Sequence, residues 1–104
     1  MPDEKEEKKD DLSVYIGNSP KINYITASMF IIKKNNFVSL KARGRAINAA
    51  VDVAEILKNK FVTDAVYEEI RLNTEQRPNP DGHTSNVSSI EIDLIIPNEG
   101  EKPQ

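Results

Sequence analysis

Cysteine is absent from this chain of 104 residues, so no disulfide can hold the fold together. A domain of this size buries only a small core. Association with a second copy would bury more apolar surface. No apolar run approaches the roughly 20 residues that cross a bilayer, and the acidic start of the chain is unlike a secretion signal. These absences favour one soluble domain in the reducing cytoplasm.

Histidine occurs once, as His83, and without cysteine the ordinary ligand set of a zinc site is excluded. We expect the carboxylates to be spread over exposed faces rather than to converge on a metal. The chain has no Walker loop, no dinucleotide fingerprint and no nucleophile motif. The sequence therefore predicts a protein that is not an enzyme and that needs no metal and no cofactor.

The net charge of −3 at first sight disfavours a polyanionic partner, because affinity for DNA or RNA rises with the number of phosphates that Lys and Arg neutralise. The acids are concentrated at the ends, however. Residues 1 to 11 have six acids and three lysines, whereas residues 12 to 96 have nine acids and ten cations. We expect residues 1 to 11 to be a disordered acidic tail, 12 to 96 a folded domain, and 97 to 104 a flexible C-terminal tail.

The hydrophobic pattern predicts four strands and two helices. Apolar and polar residues alternate in the strands, and the helices have an apolar position every three or four residues. Ser19 is the expected N-cap of the first helix, and a turn made by two prolines and the Asp-Gly pair that follows them joins the last two strands. The predicted elements are a strand at 12 to 16, a helix at 20 to 36, a strand at 37 to 43, a helix at 44 to 61, and strands at 65 to 76 and 86 to 96.

The order βαβαββ predicts an α+β fold, a two-layer sandwich with a four-stranded mixed sheet and both helices on one face. The other face of the sheet is left without a helical cover. In the third strand Val66 and Ile70 share a face with Glu68, which breaks the alternation. The helical core positions are predicted to be Ile22, Ile25, Met29, Phe30 and Ile32 in the first helix, and Ile47, Ala50, Val51, Ala54, Leu57 and Phe61 in the second.

Cations are concentrated where the second strand becomes the second helix. We call the segment from Lys41 to Ala46, Lys-Ala-Arg-Gly-Arg-Ala, the basic junction. Lys41 and Arg43 lie on the same strand face, and Arg45 follows in the first turn of the helix, whose amides also attract anions. Gly44 allows another backbone to come close. A solvated turn also explains such a pentapeptide, but its context favours contacts with phosphate.

The loop before the first helix is a second candidate. A glycine turn there exposes unpaired amides that can bind a phosphate beside Asn18 and Ser19, and Lys21 follows in the helix. A plain turn with an N-cap explains the loop equally well.

The hairpin tip is a third candidate, with Arg77, His83 and Asn86 around it. These side chains suit a β-ribbon that enters a nucleic-acid groove. The alternative is a mobile polar loop whose prolines prevent aggregation.

Several blocks of the chain occur in the order of a known family. They are Gly17 with Pro20, Asn23 and Tyr24, the segment from Lys41 to Ile47 with Ala50-Val51-Asp52, Asn59-Lys60-Phe61, Pro80-Asp81-Gly82, and Val87 to Ile92. In these blocks, over roughly residues 12 to 96, the chain resembles the Alba family of small archaeal chromatin and RNA-binding proteins.

The resemblance implies a homodimer that binds duplex DNA and RNA without catalysis and is associated with the chromosome. In that family the central basic motif and the first loop lie along the dimer body, and two hairpins extend as arms to the minor groove. By this likeness Lys41, Arg43 and Arg45 contact phosphates. Phe61 matches a position of contact between neighbouring dimers.

The chain departs from the family pattern in having fewer cations. Asn18 and Ser19 stand where many relatives have two lysines, one of them a target for acetylation, and His83 and Asn86 replace frequent arginines. Each phosphate that is left without a cation lowers the salt slope by about 0.9, so we expect weaker non-specific DNA binding, with more dependence on sequence or shape. Two alternatives stay open, an RNA-binding accessory protein of a ribonucleoprotein and a protein-assembly module with incidental nucleic-acid binding.

Overall fold

The computed structural model describes residues 12 to 97. The predicted order βαβαββ is confirmed, and the predictions for the two tails lie outside the described residues except at Pro97, which is buried. The elements are β1 (Ser13–Tyr15), α1 (Lys21–Asn35), β2 (Phe37–Arg43), a 3₁₀ turn (Gly44–Ala46), α2 (Ile47–Ile56), a π turn (Leu57–Phe61), β3 (Val66–Pro78) and β4 (Thr84–Ile95).

The four strands form one mixed sheet in the order β1-β2-β4-β3. β1 runs parallel to β2, and the β2/β4 and β3/β4 pairs are antiparallel. Leu40 of β2 lies opposite Ile92 of β4, and both are buried in the core that the helices cover. Because side chains alternate along a strand, Lys41 and Glu91 lie on the other side, which we call the open face. The predicted two-layer α+β architecture is confirmed.

The core face of α1 is narrower than the sequence predicts. Ile25 and Ile32 are buried as expected, but Ile22 is 57% exposed and Phe30 is 70% exposed. The place between the two buried isoleucines is taken by Ser28, which is completely buried. A small side chain fits between a helix and a sheet, and a pattern that counts only apolar residues does not find it.

The core face of α2 also differs from the prediction. Ala54 and Leu57 are buried as predicted, and Val53 is buried too, whereas Val51 is 42% exposed and Phe61 is 44% exposed. The helix ends in a π turn, which has more residues per turn than an α-helix. This turn rotates Phe61 away from the position that a period of 3.6 residues predicts.

A β-bulge in β3 explains the broken alternation around Glu68. Tyr67 pairs with Leu94 and Glu69 pairs with Asp93, so Glu68 is the extra residue. Residues before and after the bulge therefore change sides, and the predicted shared face of Val66 and Ile70 is wrong. The bulge places Glu69, and Arg71 after it, on the open face.

Carboxylates converge on Arg71 at the open face, contrary to the expectation that they are spread out. The guanidinium donates to Asp93 at 2.7 and 3.1 Å, to Glu91 at 2.8 Å and to Glu69 at 3.0 Å. Asp93 is only 6% exposed and also accepts a hydrogen bond of 2.7 Å from the Ser39 hydroxyl. Burial alone would raise the pKa of Asp93, but the hydrogen bonds from Arg71 and Ser39 hold it below its ordinary value.

We expect Asp93→Asn to lower the free energy of unfolding by about 1 to 3 kcal/mol, because it removes a buried charge that Arg71 pairs. The folded-state pKa of Asp93 is depressed, so its contribution is full above the ordinary value of 3.8 and is lost as the pH falls through the lower folded value. Urea unfolding at pH 7 and pH 2 measures both effects. The variant should lose less stability between the two pH values than the wild type, and Glu68→Gln should behave like the wild type. A variant that is as pH-sensitive as the wild type would contradict this assignment.

Candidate nucleic-acid interface

A groove of about 640 Å³ lies at the end of β2 where the basic junction begins. Residues of all four strands and of the 3₁₀ turn line it. It brings together four cations that the sequence singles out, on β2, the 3₁₀ turn and β3: Lys41, Arg43, Arg45 and Arg77. Asn18, from the loop after β1, lies at the same groove.

The backbone of the basic junction turns sharply at Gly44. Arg43 is extended, with φ −132° and ψ 148°, and Gly44 follows with a φ of +54°, a conformation that side chains with a Cβ rarely adopt. A Cβ on Gly44 would lie 3.7 Å from Val87, which is ordinary contact. The backbone conformation alone therefore requires a glycine here, because within the described chain no neighbouring atom is too close for a Cβ.

Lys41 and Arg43 are each paired with a carboxylate in the groove. The Lys41 ammonium lies 3.9 Å from Glu91 and 5.7 Å from the centre of the Tyr15 ring. Nε of Arg43 lies 3.5 Å from a carboxylate oxygen of Glu75, and 53% of the Arg43 side chain is exposed. An anion can therefore reach both cations, but it must compete with a carboxylate of the protein at each of them.

Two amides of the first loop are not the free donors that the sequence predicts. The hydroxyl oxygen of Tyr24 accepts hydrogen bonds from the backbone N–H groups of Gly17 and Ser19, both at 2.9 Å. Hydrogen bonds from the Ser19 side chain, the Ser19 backbone and the Gly17 backbone lower the pKa of Tyr24. The predicted N-cap is also wrong, since Pro20 occupies that position and no side chain caps the helix. Lys21 points elsewhere and pairs with Asp52 at 2.7 Å.

The hairpin contributes only one of its three predicted residues to the groove. Arg77 lines it, whereas Asn86 pairs with Gln76 and so faces the opposite side of the ribbon. His83 lies in the loop beyond the strands, where its ring nitrogen is 3.3 Å from Asp81.

Phe61 lies in a separate depression of about 410 Å³, with Lys33, Val62, Thr63, Asp64 and Ile96. None of these residues lines the groove. The structure therefore presents Phe61 as part of a second surface.

Sequence reasoning assigned no contact in the groove to three residues that line it, namely Tyr15, Glu75 and Glu91. Tyr15 follows buried Val14 in β1, and the alternation of side chains along a strand therefore puts it on the open face. This alternation is the signal that could have identified it. Glu75 is recognisable only once the pairing of β3 with β4 is known, because it acts across a strand.

Over residues 12 to 97, no group of three or more His, Cys, Asp or Glu side chains is arranged to hold a metal ion. In the same part of the chain, no helix has the length and apolar character needed to cross a membrane.

Comparison with known proteins identifies relatives of this chain. A family model described as Alba matches residues 12–74, more than half of the chain. The chain is 50% identical over 82 residues to the "DNA/RNA-binding protein Alba" of Thermoplasma volcanium, covering 78% of this chain and 91% of the relative. It is 49% identical over 82 residues to the protein of the same name from Thermoplasma acidophilum, with 78% and 91% covered. The solved structure "Alba from Thermoplasma volcanium" is similar with a TM-score of 0.74 and 49% identity, covering 80% of this chain and 98% of that one.

We expect Tyr24→Phe to loosen the first loop, because it removes the oxygen that accepts the hydrogen bonds of two backbone N–H groups. Amide hydrogen exchange at Gly17 and Ser19, followed by NMR, should become faster while exchange at Leu40 in the core is unchanged. Tyr15→Phe is the matched control, since the Tyr15 hydroxyl makes no hydrogen bond to these amides. Unchanged exchange at both amides in Tyr24→Phe would contradict the proposed role of the hydroxyl.

Proposed function

The chain belongs to the Alba family, and on that premise we propose that it is a nucleic-acid-binding protein without catalytic activity. It binds the phosphates of duplex DNA, and of RNA, in the groove beside the basic junction. The observation that carries this proposal is the convergence of Lys41, Arg43, Arg45 and Arg77 in one groove. The relatives' names, which state DNA and RNA binding, support it.

The groove suits contacts to the nucleic-acid backbone. Guanidinium groups donate in a planar fork that matches the oxygens of a phosphate, and Arg43 and Arg45 are both exposed. Such contacts position a protein on a duplex without reading its sequence. Arg77 extends the line of cations along the hairpin, which is the element that reaches away from the body of the fold.

Carboxylates in the groove support the expectation of weak non-specific binding. Glu75 and Glu91 both line it and pair with its cations. When a phosphate binds, each of these carboxylates must either leave its cation or remain close to the phosphate, which is also negatively charged. The protein therefore binds a duplex through few cations, whose charge is partly neutralised by these carboxylates. We place it in the cytoplasm, associated with the chromosome.

We infer that the protein is a homodimer. Leu72 and Ile70 lie on the helix side of β3, an edge strand, and are 76% and 52% exposed. Val51 is 42% exposed on α2, the helix whose Glu55 accepts a hydrogen bond from Tyr67 of β3. Large apolar side chains beside one another at a sheet edge are typical of a surface that another chain covers. We further propose that Phe61 mediates contacts between neighbouring dimers on the nucleic acid.

An RNA-binding role is the second candidate, and one observation favours it. Tyr15 is 64% exposed at the groove, with the Lys41 ammonium 5.7 Å from the centre of its ring. Unpaired bases stack on exposed aromatic rings, whereas the bases of a duplex are stacked on each other. Competition between duplex DNA and RNA that contains a single-stranded loop distinguishes the two functions.

Arg43→Gln is expected to weaken binding to a random DNA duplex and to reduce the slope of log K against log salt by about 0.9 for each phosphate that is no longer neutralised. Fluorescence anisotropy between 50 and 200 mM salt measures both quantities. Lys34→Gln, the same change of charge at the end of α1, is the control and should alter neither. If the two variants bind alike, the groove is not the phosphate-binding surface.

Leu72→Asp should dissociate the homodimer, because a carboxylate at the centre of a buried apolar contact lacks a partner. Light scattering after size-exclusion chromatography measures the mass, for which 11.7 kDa is the value of one chain. Phe61→Asp should leave the dimer intact and reduce only the cooperativity of binding to long duplexes. A dimeric Leu72→Asp protein would show that the chains associate through another surface.

A further inference from the structure

We propose that Glu75 is an internal competitor of phosphate at Arg43. In the free protein its carboxylate holds the Arg43 guanidinium, and it must leave when a phosphate binds, so that Glu75 sets the affinity of the groove. This inference rests on the proposed function, since the competition matters only if Arg43 contacts phosphate.

The register of the sheet makes this contact possible. Arg43 of β2 pairs with Ser89 of β4, and Glu75 of β3 pairs with Val87, which stands two residues before Ser89 in the same strand. Residues opposite one another point to the same side of a sheet, so both side chains lie on the open face. The Glu75 carboxylate reaches across β4 and stops 3.5 Å from Nε of Arg43.

The exposure of the pair allows exchange. The Arg43 side chain is 53% exposed and that of Glu75 is 36% exposed, and both line the groove. A phosphate oxygen can therefore take the place of the carboxylate oxygen without any change in the sheet. Carboxylate and phosphate use the same guanidinium donors, which is why one can replace the other.

Glu91 differs from Glu75 because it contacts two cations. It lies 3.9 Å from Lys41 but accepts a hydrogen bond of 2.8 Å from Arg71. Arg71 therefore shares Glu91 with Lys41 and makes the shorter contact. Glu75 has no such second partner, since among the described residues its salt bridge is with Arg43 alone. The competition is thus directed at one arginine.

The expected effect can be derived from the strength of exposed ion pairs. Such a pair changes an equilibrium constant by up to about fivefold, and its carboxylate also repels a phosphate that approaches. Glu75→Gln removes the charge and keeps the shape of the side chain. We expect it to tighten binding about threefold or more at 50 mM salt, with a gain that shrinks as salt screens the charges.

A double-mutant cycle tests the proposal, with binding of a random DNA duplex to the full chain measured by fluorescence anisotropy. The proteins are the wild type, Glu75→Gln, Arg43→Gln and the double variant, with Glu68→Gln as the control. Glu68 is an exposed acid on the same strand, seven residues or about 23 Å away. We expect Glu75→Gln to tighten binding more than Glu68→Gln, and this difference to disappear in the Arg43→Gln background.

Each result has a defined meaning. A gain for Glu75→Gln that persists without Arg43 would overturn the proposal, since the carboxylate would then act only through its general charge. Equal binding by Glu75→Gln and Glu68→Gln would overturn it as well. Absence of binding by the wild type, or an Arg43→Gln protein that binds like the wild type, would instead refute the proposed function. A shift of the Arg43 Nε–H resonance in ligand-free Glu75→Gln supports the pair directly, and an unchanged resonance contradicts it.

Discussion

The alternation of side chains in β2 and β4 is the constraint on which the rest of this structure depends. Leu40 and Ile92 lie opposite each other and must face the helices, because no other surface of the sheet can bury them. A shift of one residue in either strand would move every apolar side chain to solvent and every charge into the core. Lys41 and Glu91 are therefore fixed on the open face. The position of the charges is determined by the packing of the apolar residues between them.

Charges that are fixed side by side on one face must be paired, and the pairs differ with depth. Asp93 is buried, and its carboxylate accepts hydrogen bonds from both Arg71 and Ser39. Arg43 and Glu75, at the other end of the row, are half exposed and joined by one longer contact. A buried charge cannot exchange its partner without a large penalty, whereas an exposed one can. The same row of residues thus changes from a structural network into a surface that can bind an external anion.

The sequence was sufficient to predict the elements, the open face and the cations of the basic junction, because periods of 2 and 3.6 residues are local properties of a chain. It was not sufficient where one residue changes the register. The bulge at Glu68 and the π turn that ends at Phe61 each shift the phase of the side chains. The bulge appears in the sequence only as a break in the alternation, which does not reveal its cause. Hydrogen bonds between a side chain and a nearby loop were also inaccessible, because a hydrophobic pattern carries no information on them. The Tyr24 hydroxyl accepts hydrogen bonds from the Gly17 and Ser19 amides, and this depends on where α1 places the Tyr24 side chain.

The competition proposed at Arg43 has a consequence for which anions the groove would accept. Glu75 is tethered near Arg43, so its effective concentration there is in the millimolar range or above. A single small phosphate must overcome that concentration at one cation and gains nothing elsewhere. A nucleic acid presents many phosphates on one chain, and once it contacts Lys41 or Arg45 its next phosphate is tethered near Arg43 as well. Tethered phosphate then competes with tethered carboxylate on equal terms. On this proposal, a groove with few cations and an internal carboxylate distinguishes a polyanion from free phosphate.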